Sequence, residues 1–161
     1  LKDVPIDVLL NNTGSYAGGR GQAFGSFVYG VLDELMDVNV AGPLKMAEAF
    51  IQHIAKSEQK KIINITSKLG SIDDNRSGHH YLYRSSKAAL NMVTKSLAID
   101  LAPHGITTIV LHPGLVQTDM GGYGAPTTVE QSISGMREVI ARIGSKDSGK
   151  FYDFRGQEIL W

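Results

Sequence analysis

The order of apolar runs predicts an α/β fold, a parallel sheet with helices on both faces. Four short runs, 6–10, 62–65, 106–111 and 150–154, have the length and composition of strands bounded by polar or turn-forming residues. Between them lie longer stretches with apolar residues at three- and four-residue spacing, the period of a helix packed on one side. Strand and helix alternate along the chain, the pattern of parallel strands joined by helical crossovers. In such sheets ligands gather at the carboxyl ends of the strands. Asn12, Gly14, Ser67 and the stretch from Pro113 to Thr118 follow strands directly.

The first run, IDVLL, ends in Asn11-Asn12-Thr13-Gly14. Asparagine at a strand end bonds neighbouring backbone, and glycine lets the chain pass close to a ligand. The glycine-rich segment from Gly18 to Gly25 invites a phosphate reading, but aromatic residues and further glycines follow it, a poor helix start. It reads as a flexible loop near the pocket. Residues 31–54 form one or two helices, with a break expected near Gly42-Pro43. Asn39, mid-helix among apolar residues, asks for a buried partner.

The second strand, within KKIINITS, leads to Ser67. A polar loop from Gly70 to His80 carries Asp73, Asp74, His79 and His80 without any recognised metal-ligand spacing, so it reads as solvated loop rather than metal site. A helix then runs to about Leu101 and stops at Pro103-His104-Gly105. Tyr83 and Lys87, four residues apart, share one face of it. Ser67, Tyr83 and Lys87 thus supply a hydroxyl, a phenol and an ammonium to one place, a set suited to proton transfer at a carbonyl or alcohol. A free phenol titrates near ~10, and a nearby lysine cation is expected to lower that value.

The third strand runs into His112-Pro113-Gly114-Leu115-Val116-Gln117-Thr118. His112 reads as structural. A loop follows at 121–126, then a helix capped by Thr127 or Thr128 with Glu130 close behind, and a final strand turning at Arg155-Gly156.

The chain has 161 residues, enough for a single domain with a core. Sixteen basic and sixteen acidic residues balance, which speaks against nucleic acid or anionic membrane as partners. There is no cysteine, and no apolar run approaches the ~20 residues of a membrane span. A cytoplasmic location is expected.

Ser67 followed by Tyr83-Arg84-Ser85-Ser86-Lys87, with Asn11-Asn12-Thr13-Gly14 before and Pro113-Gly114-x-x-x-Thr118 after, resembles the short-chain dehydrogenase/reductase family. The long interval from Ser67 to Tyr83 and the GSI after the serine resemble its C-factor and Sniffer-type carbonyl reductase subgroup. The resemblance implies NAD(P)-dependent interconversion of a carbonyl and an alcohol. It makes Asn39, Ser67, Tyr83 and Lys87 the catalytic residues. It sets Asn12, Thr13 and Gly14 against the adenosine side of NAD or NADP. Tyr83 and Lys87 would contact its ribose, and Pro113, Gly114, Val116 and Thr118 its nicotinamide. A small-molecule substrate follows, as does a homodimer or homotetramer. Small residues on the Tyr83 helix, Ala88, Ala89, Ser96 and Ala98, would allow close helix contact. Residues 1–161 would be the C-terminal portion of a Rossmann-type doubly wound sheet, a single partial domain without the first βαβ unit and its phosphate loop. The chain begins with leucine and is expected to be a fragment of a longer polypeptide or an incomplete gene product, binding cofactor weakly if alone. The alternative is a non-catalytic or truncated member acting as a binding or signalling module.

Overall fold

The computed structural model describes residues 3–161. Four strands, β1 (Val8–Asn11), β2 (Lys61–Ile65), β3 (Thr107–His112) and β4 (Phe151–Asp153), form one parallel sheet in the order β1-β2-β3-β4. Every neighbouring pair is also consecutive in sequence, so each connection is a crossover that must travel over a face. Central β2 is buried at all five positions, as its run of isoleucines requires.

The pleat sends alternate residues to opposite faces. Ile62 packs with Leu9 and Ile106 against Ala47 and Ile54 of helix α2 (Gly42–Ala55) and Leu97 of α3 (Tyr81–Asp100). Ile63 and Ile65 pack with Ile109 and Leu111 against Val139 of α4 (Val129–Arg142) on the other face. Helix α1 (Tyr29–Met36) packs on α3 through Val31, Leu35, Leu82 and Tyr83. Among the described residues β1 is an edge strand, and Leu10 on it is 44% exposed.

Local differences from the sequence expectation have physical reasons. The break expected near Gly42-Pro43 is absent. Helical backbone runs from α1 into α2 through a widened π turn at Asp37–Ala41, which takes up the extra residue and places Pro43 in the first turn of α2, where its missing N–H is harmless. Thr128 caps α4 with Gln131, rather than Glu130, as its capping-box partner. Ala98 faces the core and cannot join an outer helix contact, whereas Met92 and Ile99 of the same helix are exposed. A ladder of polar side chains crosses the sheet into α3. Asn11 Nδ2 donates to Asn64 Oδ1 at 2.7 Å, and Asn64 Nδ2 donates to Thr94 Oγ1 at 2.8 Å. Thr66 Oγ1 donates to Asn91 Oδ1 at 2.7 Å. Each group is buried and paired, so the ladder fixes the register of α3 over β2.

Candidate active site

Three segments meet at the carboxyl end of the sheet: the loop after β1, the end of β2 and the first turns of α3. Ser67 stands two residues past β2 and begins a short 3₁₀ turn at Lys68–Gly70, its Oγ accepting from the Leu69 amide at 3.2 Å. That turn presses on α3. A Cβ at Gly70 would lie 2.9 Å from the carbonyl carbon and Cβ of Lys87, so only glycine lets the two segments approach this closely.

Tyr83 and Lys87 are 7% and 4% exposed. The Lys87 ammonium lies 5.8 Å from the centre of the Tyr83 ring and donates to the Ile65 carbonyl at 3.2 Å. Burial lowers its pKa to about 8. Burial raises the Tyr83 phenol above its ordinary value, with the Ser67 side chain acting in the opposite direction. This differs from the expectation that Lys87 lowers the phenol pKa. Two buried groups each resist charge, and the ammonium is held toward the Ile65 carbonyl.

Asn39, fully buried, is the middle residue of the π turn. Its Oδ1 accepts from the Ser15 amide at 2.8 Å, and its Nδ2 donates to the Ser15 carbonyl at 2.9 Å and to Ser86 Oγ at 3.0 Å. The polar mid-helix residue thus has its partners, one on the loop after β1 and one on α3. A Cβ at Gly14 would sit 3.3 Å from Lys87 Nζ and 3.5 Å from Asn39 Oδ1. The bare glycine leaves space beside both.

Asn12 and Thr13 are exposed beside Gly14. Pro113, Gly114 and Val116 are partly buried and Thr118 is exposed, all beyond the end of β3. Val116 bridges to Thr127, and Thr118 Oγ1 accepts from the Gly121 amide at 3.2 Å, folding 115–127 into a compact flap. The Gly18–Gly25 segment is ordered by internal bonds. The Gly19 and Arg20 amides donate to Tyr16 and Ala17 carbonyls, so they do not form a row of free donors for phosphate.

Sequence reasoning missed Tyr16 and Gln22. The Tyr16 ring meets Tyr83 edge-on at 5.1 Å, and its hydroxyl is hydrogen-bonded to His80 Nδ1 at 2.8 Å. No periodic pattern marks either residue. The one sequence signal is a large aromatic just after the strand-end glycine.

The short-chain dehydrogenase family model matches residues 3–127. C-signal of Myxococcus xanthus is 40% identical over 157 residues, covering 98% of this chain and 93% of the relative. Other curated relatives are covered over 62% and 52% of their length. The crystal structure of an NADPH-bound carbonyl reductase from chicken fatty liver superposes with a TM-score of 0.91 at 35% identity, over all of this chain and 68% of the other. The carbonyl reductase Sniffer of D. melanogaster gives 0.91 at 36% identity, again over 68% of its length. With more than half its length matched and the Ser67, Tyr83 and Lys87 side chains gathered at the strand ends, the chain belongs to the short-chain dehydrogenase family.

Proposed function

We propose that this chain carries the proton-transfer centre of an NAD(P)-dependent oxidoreductase that interconverts a carbonyl and an alcohol. The burial of Tyr83 and Lys87 side by side, with Ser67 at the phenol, is the observation that supports it. Ser67 Oγ holds the substrate oxygen. Tyr83 delivers a proton to that oxygen on reduction and removes it on oxidation. Lys87, with its pKa near 8, holds or yields a proton close to neutral pH and restores the phenol. Asn39 supports the relay by tying Ser15 and Ser86 to the π turn.

The space at Gly14, bordered by Lys87 Nζ and Asn39, leaves room for a dinucleotide to pass, its nicotinamide ribose toward Lys87 and its adenosine side toward Asn12 and Thr13. Tyr83 and Lys87 would hold the ribose. Pro113, Gly114, Val116 and Thr118 would hold the ring, and Asn12, Thr13 and Gly14 the adenosine side. When bound, the nicotinamide supplies the hydride. The substrate in this reading is a small carbonyl or alcohol compound, and subunits associate in twos or fours through α2 and α3, where Met46, Met92 and Ile99 are exposed.

A second reading is a signalling or binding module that keeps the fold without turnover. The near-equal span of C-signal favours it. The two separate on one assay, reduction of a carbonyl panel with NADH or NADPH. The enzymatic reading expects turnover that Tyr83→Phe abolishes. Absence of turnover in both parent and variant favours the module.

A further inference from the structure

Helix α3 begins without a cap of its own. His80, the residue that should cap it, has φ +52°, a left-handed conformation, and its side chain bonds none of the first amides. Those amides are the ones nearest Tyr83. Two of them, those of Tyr81 and Tyr83, are satisfied from the loop after β1. Gln22 is 2% exposed, and its Oε1 accepts from the Tyr83 amide at 2.9 Å across 61 residues. Its backbone carbonyl accepts from the Tyr81 amide at 3.3 Å. Its Nε2 donates to the Tyr16 carbonyl at 2.9 Å. Reversing the carboxamide would set N–H against N–H and oxygen against oxygen, so the network admits one orientation.

The bonds close a ring around Tyr83. Its carbonyl accepts from Ser86 Oγ at 2.8 Å, and Ser86 accepts from Asn39. Asn39 grips both backbone groups of Ser15, the next residue Tyr16 accepts from Gln22, and Gln22 accepts from the Tyr83 amide. Tyr16 also lays its ring edge-on against Tyr83. The backbone of the tyrosine is thus held at both its donor and its acceptor.

We propose that Gln22 is a positioning residue for Tyr83, its carboxamide fastening the 16–28 loop to the first turn of α3 so that the phenol keeps its place beside Ser67 and Lys87. This rests on the acid–base role assigned to Tyr83 above. A loosened loop would admit water to the phenol, whose shift comes first from burial. The other titratable groups at that ring, Tyr16, His80 and Lys87, are the same residues in Gln22→Met as in the parent, so a change there traces to the loop that carries Tyr16.

The test compares the full chain with Gln22→Met, which fills the same space without the amide, and Gln22→Glu, which keeps an acceptor for the Tyr83 amide but sets an oxygen against the Tyr16 carbonyl where Nε2 donated. NMR of tyrosine isotope-labelled at Cζ, assigned by the signal lost in Tyr83→Phe, follows the phenol titration, and amide exchange follows the Tyr83 N–H. Gln22→Met is expected to lower the phenol midpoint by roughly half a unit or more and to speed Tyr83 amide exchange about ten-fold or more. Gln22→Glu, which keeps the acceptor alone, is expected to restore part of the protection. In turnover, kcat of the Met variant falls about 10- to 100-fold with cofactor KM within about two-fold. An unmoved midpoint and a protected amide in Gln22→Met overturn the proposal. Failure of the acid–base reading shows separately, as turnover that survives Tyr83→Phe whatever the Gln22 variants do.

Discussion

The Lys87 ammonium donates to the Ile65 carbonyl, 3.2 Å away, across the junction of α3 and the end of β2. That bond anchors a buried cation whose pKa has fallen to about 8 from 10.5. The shift corresponds to roughly 3 kcal/mol of cost to the folded state while the lysine is charged. Between the two values the unfolded chain holds a proton that the folded chain has released. Stability contributed by this group therefore rises as pH rises from about 8 toward 10.5. Lys87→Met removes the cost and forfeits the bond to Ile65, so a net gain of about 1–2 kcal/mol is expected near pH 7. Chemical denaturation across pH checks this, and the advantage of the variant should shrink on the alkaline side.

His112, at the end of β3, behaves in the opposite pH range. Burial lowers its pKa to about 4 from 6.5, and its Nδ1 is buried without a hydrogen-bond partner among the described residues. Below pH 6.5 the unfolded chain takes up a proton that the folded chain refuses, down to about pH 4. Stability should fall through that window by up to roughly 3 kcal/mol. His112→Gln should flatten the profile there, as thermal melts at stepped pH would record. A histidine before Pro-Gly reads as structural from sequence, and in the fold it is partly buried with Nδ1 enclosed.

Gly70 is a test of how tightly the Ser67 turn abuts α3. An alanine there would place Cβ 2.9 Å from the Lys87 backbone carbon and 3.1 Å from the Ala88 amide nitrogen. Neither neighbour is the free end of a flexible side chain. Gly70→Ala should cost about 1–3 kcal/mol in urea denaturation, with the larger share of any activity loss in kcat.

Asn39→Leu keeps the volume but leaves the Ser15 amide and carbonyl and the Ser86 hydroxyl without their partner. The expected loss is about 2–4 kcal/mol, and Ser15 amide exchange should accelerate. An unchanged Ser15 amide would contradict the network.

Much of this arrangement was legible because it follows short-range rules. Tyr83 and Lys87 share a face because four residues make about one helical turn. Ser67 could be placed because β2 is short, β-branched and sharply bounded. Asn39 signalled itself as a polar residue in an apolar helical stretch, and its partners exist. What was hidden depends on long-range contact. Gly42-Pro43 looks like a helix break, yet a π turn just before it absorbs the irregularity. Asn64 sits inside an apolar strand because Asn11 and Thr94 lie to either side in space, not in sequence. Gln22 lies in a glycine-rich loop with no period, and its value comes from an amide sixty-one residues away. The direction of the Tyr83 shift depends on burial, which the loop supplies.

The most direct test of the central claim is steady-state carbonyl reduction with NADH and NADPH by the natural polypeptide that carries this chain, with and without Tyr83→Phe. The account predicts turnover in the parent and a fall of about 100-fold or more in kcat in the variant, with cofactor affinity unchanged. Turnover in the variant within a few-fold of the parent would contradict it.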